Sequence, residues 1–273
     1  MVRKLSVVSI ILVLLFVTST PAKAISYGEF DGDGHPNVGS IVVRVGQDLY
    51  QWCSGTLISE DVFLTASHCT APLNGYVAAN PGAEVLVTFD SKISAGSKFY
   101  TVDAWYTNPN YNFYAGQYGN SDPGDVAVIV LDEAPPGIAP ARLPAVGLLD
   151  DLKKAHTLNN TIFTTVGYGT VRDTKHTGWQ AIYDNYDRNR ADQEFLSLTD
   201  AWLTNSMNQA TSNGGTCYGD SGGPHFLHID GVETNIVASI TVTGDAQCKA
   251  SDKTYRIDTE SALSFLAVYV DLP

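Results

Sequence analysis

The residues best suited to chemistry lie in one short stretch, residues 215–224, in which a serine stands between glycines. Ser221 follows an acid, Asp220, and a serine hydroxyl becomes an effective nucleophile when a base removes its proton during attack. Attack on a carbonyl creates an oxyanion, which backbone N–H groups stabilise well. Because glycine permits unusual dihedral angles, the stretch predicts two such donors, the N–H groups of Gly219 and Ser221.

A nucleophilic serine needs a base and an acid that orients the base, and the chain offers a candidate for each. His68 follows an apolar run and stands beside Cys69, and a disulfide there would give it the fixed position that a general base requires. Asp125 stands at the start of the apolar run 126–131. A carboxylate buried there needs a partner, and an imidazole N–H is one whose tautomer the carboxylate would fix.

Taken together, these residues resemble the chymotrypsin-like (trypsin-family) serine peptidases. Residues 65–69 are similar to the family's histidine motif, residues 125–128 to its aspartate motif, and residues 219–224 are identical to its serine motif. The three motifs also occur in the family's order, and the resemblance spans the mature chain. It implies an all-β protein of two six-stranded antiparallel barrels with a C-terminal helix. It also implies peptide-bond hydrolysis through an acyl-enzyme, with His68, Asp125 and Ser221 as the catalytic triad.

The resemblance implies an activation step as well. In the family, a free N-terminal Ile or Val inserts into the protein and pairs with the acid before the nucleophile, which here is Asp220. Cleavage after Ala24 would expose Ile25, so we expect export alone to create the active N-terminus. Ser239 matches the family serine that supports the triad aspartate.

The predicted primary pocket favours small or medium apolar side chains. Gly215 stands at the expected floor, where it cannot pair with a cation, so specificity of the trypsin type is not expected. Thr241 falls where the family has the glycine that keeps the pocket deep, and Ile240 falls where a tryptophan is common. If Lys253 also approaches the pocket, an acidic side chain could be accepted. The expected pocket residues are Gly215, Thr216, Tyr218, Ile240, Thr241 and Lys253.

The first residues of the chain predict the location of the protein. Residues 1–24 combine a short basic region, an apolar run and an Ala-x-Ala cleavage site, which predicts a secretory signal peptide and a secreted, extracellular protein. The formal net charge of −13 argues against nucleic acid and anionic membranes as partners. We expect a monomer that acts on protein or peptide substrates, without a cofactor or metal. The run 31–34 resembles half a calcium loop, but we interpret it as a turn.

Four cysteines allow three pairings, and in an exported chain we expect them to be oxidised. Zinc binding is the rival use, but the chain has no Cys-x-x-Cys spacing. Nearest-neighbour pairing gives Cys53–Cys69 and Cys217–Cys248, each bracing a loop beside a candidate catalytic residue.

Short β-like runs separated by turn residues dominate the mature chain, which favours two small barrels. The predicted strands cover residues 40–45, 55–59, 85–89, 126–131, 161–166, 235–240 and 254–257. A helix is predicted over residues 261–269, beginning at Thr259 or Glu260. The proline-rich segment 135–140 is the predicted linker between domains at residues 25–140 and 141–273.

Two other classes of function fit parts of the pattern. Residues 219–223 also match Gly-x-Ser-x-Gly, the nucleophile elbow of serine esterases, which needs a helix directly after the serine. Gly222, Gly223 and Pro224 begin a helix poorly. The second alternative is a catalytically silent binding protein, which the intact triad candidates disfavour.

Overall fold

The computed structural model describes residues 25–118, 121–172, 174 and 178–273, with the side chains of residues 116–118 excluded. The predicted signal peptide, residues 1–24, lies outside the described residues. The strands are β1 (Glu29–Phe30), β2 (Val38–Val45), β3 (Asp48–Leu57), β4 (Val62–Thr65), β5 (Ala83–Thr88), β6 (Phe99–Thr107), β7 (Ala127–Leu131), β8 (Ile162–Gly167), β9 (Val171–Arg172), β10 (Ile182–Tyr183), β11 (Asn189–Leu198), β12 (Trp202–Ser206), β13 (Pro224–Ile229), β14 (Val232–Gly244) and β15 (Ser251–Arg256).

The described helices are short. They are α1 (Ser67–Thr70), α2 (Leu73–Ala79), α3 (Phe113–Tyr118), α4 (Leu148–Lys154) and α5 (Glu260–Leu266), with 3₁₀ turns at Leu158–Asn160, Gly178–Ala181 and Gln209–Thr211. The predicted C-terminal helix is confirmed as α5, whose N-cap is Thr259. The Thr259 side chain accepts a hydrogen bond from the Ala262 N–H, one of the donors that a helix N-terminus leaves free.

The N-terminal half forms a closed barrel in the strand order β2-β3-β4-β7-β6-β5. Its interior is filled by apolar residues from the short runs that the sequence predicts as strands, among them Ile41, Val87 and Val128, all fully buried. Burying these side chains drives the closure, since each large apolar side chain removed from water contributes about 1.5–3 kcal/mol.

The C-terminal half closes in the same way. Strands β11, β12, β15, β14, β13 and β8 are hydrogen-bonded in that order, and β8 pairs again with β11 to complete a six-stranded ring, with β1 added at its edge. The fold is therefore two six-stranded antiparallel barrels and a C-terminal helix, as predicted. The segment between them bridges both barrels, because the Ala141 N–H donates to Leu57 and the Arg142 N–H donates to Asn235.

A buried ionic cluster joins the N-terminal segment to the C-terminal barrel. His35 Nδ1 lies 2.5 Å from Asp31 Oδ1, and its Nε2 lies 2.7 Å from Glu233 Oε1. Arg188 donates to the other oxygen of Asp31 at 2.7 Å and to the Phe89 carbonyl at 2.8 Å. Asp31 thus serves as an ion-pair partner inside the protein.

Two disulfides are present, Cys53–Cys69 and Cys217–Cys248, which confirms the predicted pairing. Each links neighbouring segments of one barrel. Within the residues described, no helix is long and apolar enough to cross a membrane.

Candidate active site

The first barrel brings His68 and Asp125 together at the ends of two adjacent strands. β4 pairs with β7 so that Thr65 faces Ala127. His68 follows β4 in helix α1 and Asp125 precedes β7, so the antiparallel pairing leaves both at the same edge. The His68 Nδ1 lies 2.9 Å from Asp125 Oδ2, and the His68 backbone N–H donates to Oδ1 at 2.9 Å.

The two side chains in this contact differ in their exposure to solvent. The Asp125 side chain is only 4% exposed, whereas that of His68 is 24% exposed. A carboxylate that accepts two hydrogen bonds in such a site holds the imidazole in one orientation, with Nδ1 as the donor and Nε2 free to accept a proton.

The loop that carries Ser221 is held at this edge by a hydrogen bond from strand β3 of the first barrel. The Ser54 N–H in β3 donates to the Ser221 carbonyl at 2.9 Å. Ser54 directly follows Cys53, whose disulfide partner Cys69 directly follows His68. The Cys69 sulfur accordingly lies 3.8 Å from the Ser221 carbonyl oxygen. One disulfide and one hydrogen bond therefore tie the histidine segment to the serine loop.

The serine loop takes the conformation that its glycines allow. Gly219 has φ +97° and Gly222 has φ +79°, a region that other residues rarely occupy. The chain then continues into strand β13, where an esterase elbow requires a helix. Across the described parts of the chain, the N–H groups of Gly219 and Ser221 have no acceptor. Two unpaired N–H groups at a nucleophile are the geometry expected of an oxyanion site.

Asp220 lies fully buried directly before Ser221. Its two carboxylate oxygens accept from the N–H groups of Gly169 and Cys217, each at 2.8 Å. Burial raises the pKa of Asp220 to about 7, against the lowering effect of these two hydrogen bonds. No cationic side chain in the described regions forms an ion pair with it. A cation beside this buried carboxylate would therefore stabilise its charged form.

Ile25, the predicted partner of Asp220, is fully buried at the edge of the C-terminal barrel. The next residue, Ser26, accepts a hydrogen bond from the Gly215 N–H at 2.9 Å. The N-terminal segment thus packs against the segment that leads to Asp220. Ile25 itself holds φ +62°, a strained value for a β-branched residue.

A cavity of about 280 Å³ opens beside Ser221 and contains three of the predicted pocket residues, Thr216, Tyr218 and Thr241. The rest of its wall comes from residues 242–246 and the Cys217–Cys248 disulfide. Tyr218 spans the cavity edge, because its hydroxyl donates to the Ala246 carbonyl at 3.0 Å. Its ring also stacks on Trp179, with the ring centroids 5.9 Å apart.

Three predicted pocket residues lie outside the lining of this cavity. Gly215 is buried where a Cβ would collide with Met207 and Gln193. Ile240 is fully buried in the core. The Lys253 ammonium lies over the Trp202 ring, 4.2 Å from its centroid.

Ser239, the predicted support of Asp125, is fully buried. Its hydroxyl accepts a hydrogen bond from the Thr254 hydroxyl at 2.8 Å. Among the described residues, no hydrogen bond joins Ser239 to Asp125.

Sequence reasoning did not identify two residues that contact the serine loop. Gln51 Nε2 donates to the Gly219 carbonyl at 2.8 Å, and Ser54 Oγ donates to the same oxygen at 3.0 Å. The predicted Cys53–Cys69 disulfide was the available signal for Ser54, since it places the residue after Cys53 near His68. No local motif points to Gln51.

Comparison with known proteins agrees with the two-barrel fold. A family model described as Trypsin matches residues 31–266. The chain is also similar in structure to HL collagenase, with a TM-score of 0.64 and 18% sequence identity over 90% of this chain and 99% of that one. At this identity, the second likeness concerns the fold alone.

Proposed function

We propose that this chain, which belongs to the trypsin family, is a secreted serine endopeptidase that hydrolyses peptide bonds in protein or peptide substrates. The observation that carries the proposal is the two-point contact of Asp125 with His68 at the edge where the Ser221 loop docks. The N–H groups of Gly219 and Ser221, which have no acceptor among the described residues, support it.

In the proposed reaction, Ser221 Oγ attacks the carbonyl carbon of the scissile bond while His68 Nε2 takes the hydroxyl proton. Asp125 keeps the proton on Nδ1 and stabilises the imidazolium that forms. The oxyanion accepts from the N–H groups of Gly219 and Ser221. His68 then gives its proton to the leaving amine as the C–N bond breaks, which leaves an acyl ester on Ser221. Water, deprotonated by His68, hydrolyses that ester and restores the serine.

The proposed primary specificity is for small or medium apolar side chains. Among the described residues, the cavity beside Ser221 is lined by Thr216, Thr241 and Tyr218 and by no cationic side chain. The carboxylate of Asp245 in its wall already accepts hydrogen bonds from the N–H groups of residues 247 and 249–251. A threonine hydroxyl in the wall adds little to the free-energy cost of binding a small substrate side chain. The branched Cβ of threonine, however, narrows the space available for a long substrate side chain. A cleavage profile dominated by Arg and Lys would contradict this specificity.

Activation is proposed to follow signal-peptide removal after Ala24, which frees the Ile25 ammonium to pair with Asp220. The strain at Ile25 supports this step, because cleavage removes the preceding peptide and with it the constraint on φ. Backbone strain of this kind costs about 1–3 kcal/mol. N-terminal sequencing of the secreted protein tests the proposal, and any start other than Ile25 would end it.

Secretion is supported by two disulfides, since such bonds persist in oxidising compartments. It is tested by expressing the full chain and measuring the mass of the protein recovered outside the cell.

Labelling with a fluorophosphonate probe tests the proposed activity. The probe forms a covalent bond to an activated serine with loss of fluoride, and mass spectrometry identifies the modified residue. We expect labelling of the secreted protein at Ser221, abolished in Ser221→Ala and in His68→Ala, together with cleavage of peptide libraries. No labelling of a protein that begins at Ile25 would point to a binding role. Labelling with ester hydrolysis but no peptide cleavage would point to an esterase.

A further inference from the structure

Arg172 is a fully buried cation at the end of strand β9, and its guanidinium donates to backbone carbonyls of other chain segments. Its Nε donates to the Gln247 carbonyl at 2.9 Å. Its two Nη atoms donate to the carbonyls of Thr174, at 2.6 Å, and Gly178. Because a buried charge is costly unless it is hydrogen-bonded, these carbonyls hold the guanidinium in place and are themselves held by it.

One of these bonds restrains the wall of the cavity beside Ser221. Gln247 lies between Ala246 and Cys248, which both line the cavity. A peptide group is planar, so a bond to the Gln247 carbonyl also fixes the peptide that joins Gln247 to Cys248. Cys248 has φ +54°, and a strained backbone of this kind persists only where its surroundings hold it. Arg172 therefore restrains the strained part of the wall.

A second bond restrains the aromatic edge of the same cavity. The Gly178 carbonyl belongs to the peptide that leads to Trp179, whose ring stacks on Tyr218 with the centroids 5.9 Å apart. The Tyr218 hydroxyl in turn donates to the Ala246 carbonyl at 3.0 Å, directly before Gln247 in the wall. The contacts thus form a closed ring that begins and ends at Arg172.

The aromatic members of this ring depend on such contacts for their position. Trp179 is 54% exposed and Tyr218 is 51% exposed, so neither ring is fixed by burial in the core. Arg172, by contrast, is rigid because it is buried and hydrogen-bonded on several sides. It is therefore the member of the ring that can hold the wall and the edge at a fixed separation.

We propose that Arg172 is a positioning residue for primary specificity, which keeps the cavity beside Ser221 narrow by holding the Gln247 carbonyl and the backbone that leads to Trp179. The inference rests on the proposed endopeptidase function. Arg172 acts through the wall and the edge of the cavity, because its own side chain is buried behind them.

The test compares the secreted protein with Arg172→Lys on peptides that differ only in alanine, leucine or phenylalanine at the cleaved position. Lysine keeps the charge, but its compact ammonium replaces the planar fork that spans the three carbonyls. We expect kcat/KM for leucine and phenylalanine relative to alanine to rise about three- to tenfold, the scale of one lost hydrogen bond. The change should come from KM. For the alanine peptide, kcat should stay within about twofold, as should the rate of fluorophosphonate labelling at Ser221.

Trp179→Ala breaks the same ring at an exposed residue, so it tests the inference even if Arg172→Lys does not fold. It should raise the same ratio in the same direction. In the double variant the ratio should rise by less than the product of the two single effects, because both substitutions release one wall. Arg190→Lys is the matched control, since Arg190 is an exposed residue of β11 that pairs with Glu29, and it should leave the ratio unchanged.

Three results would overturn the inference. The first is an unchanged ratio in a folded Arg172→Lys or Trp179→Ala protein that still labels at Ser221. The second is an equal loss of activity on all three peptides that follows a lower thermal midpoint, which would indicate a structural role alone. The third is a double variant whose effect equals the product of the single effects. A wild-type protein that neither cleaves peptides nor labels would instead refute the proposed function.

Discussion

Asp125 accepts two hydrogen bonds from one residue, His68, through the ring Nδ1 to Oδ2 and through the backbone N–H to Oδ1, both at 2.9 Å. The second bond fixes the carboxylate relative to the backbone of helix α1. The first bond then fixes the imidazole ring relative to the carboxylate. Substitutions at this contact should therefore separate catalysis from folding.

Asp125→Asn should lower kcat by about four orders of magnitude while the protein stays folded. The asparagine amide can keep the contact but can donate to Nδ1, which would favour the tautomer that leaves no acceptor for the serine proton. The measurement is kcat on a peptide substrate together with the thermal midpoint. Asp132→Asn, an exposed acid at the other end of β7, is the control. Equal activity in both variants would contradict the assigned role.

The charge state of Asp220 should differ between the uncut and cut chains. In the uncut chain, burial raises the pKa of Asp220 to about 7, with a smaller contribution from the charge of Asp252. The folded state then holds a proton that the unfolded state releases above pH 4, so the free energy of unfolding should decline between about pH 4 and 7, by up to roughly 4 kcal/mol. A chain that begins at Ile25 should lack the Asp220 part of this decline, because the ammonium stabilises the carboxylate. It should keep the part that comes from Asp252, since burial also raises the pKa of Asp252 to about 7.

Urea unfolding across pH 4–8 measures this difference. Asp220→Asn should raise the stability of the uncut chain near pH 8, since no buried charge remains. The same substitution should destabilise the cut chain and remove most of its activity, because it leaves the ammonium buried and unpaired. The same pH dependence in both chains would count against the ion pair.

The buried His35 cluster should make stability fall at alkaline pH. Burial alone would lower the pKa of His35, but hydrogen bonds to Asp31 and Glu233 raise it to about 9. Because the folded pKa exceeds the unfolded value of about 6.5, the stabilisation is complete below pH 6.5 and is lost as pH rises through 9. The loss should be about 3 kcal/mol.

Unfolding free energies at pH 6 and pH 9.5 check this expectation. His35→Gln should be less stable than the original at pH 6 and should show less of the decline. His156→Asn, at an exposed position with positive φ that asparagine tolerates, is the control and should keep the full decline. A decline unaffected by His35→Gln would assign it to other groups.

Tyr218→Phe should broaden the primary specificity. The change removes only the hydroxyl that donates to Ala246 across the edge of the cavity, and keeps the ring that stacks on Trp179. Losing this hydrogen bond should raise kcat/KM for larger apolar side chains about three- to tenfold relative to alanine at the cleaved position. Library profiling of both proteins measures the ratio, and identical profiles would show that the tether does not limit the pocket.

Local patterns in the sequence were sufficient for several features of this protein. The apolar runs that became β2, β7 and β14, the Thr259 cap and both disulfide pairings each depend on residues close together in the chain. The strand β11, by contrast, carries Asn, Arg, Asp, Gln and Glu, and no apolar run marks it. It becomes a strand because its neighbours in the closed barrel need a partner for their backbone groups.

The sequence by itself determined the three motifs that supply His68, Asp125 and Ser221, because each requires particular residue types at fixed short spacing. Only the tertiary structure decided which residues surround them. The pocket wall depends on the register of β14 against β15, which shifts between Thr241 and Thr243 and leaves Lys253 over Trp202. The contact of Gln51 with Gly219 joins positions 168 residues apart. Such contacts follow from barrel closure and strand register, which depend on the packing of the whole chain.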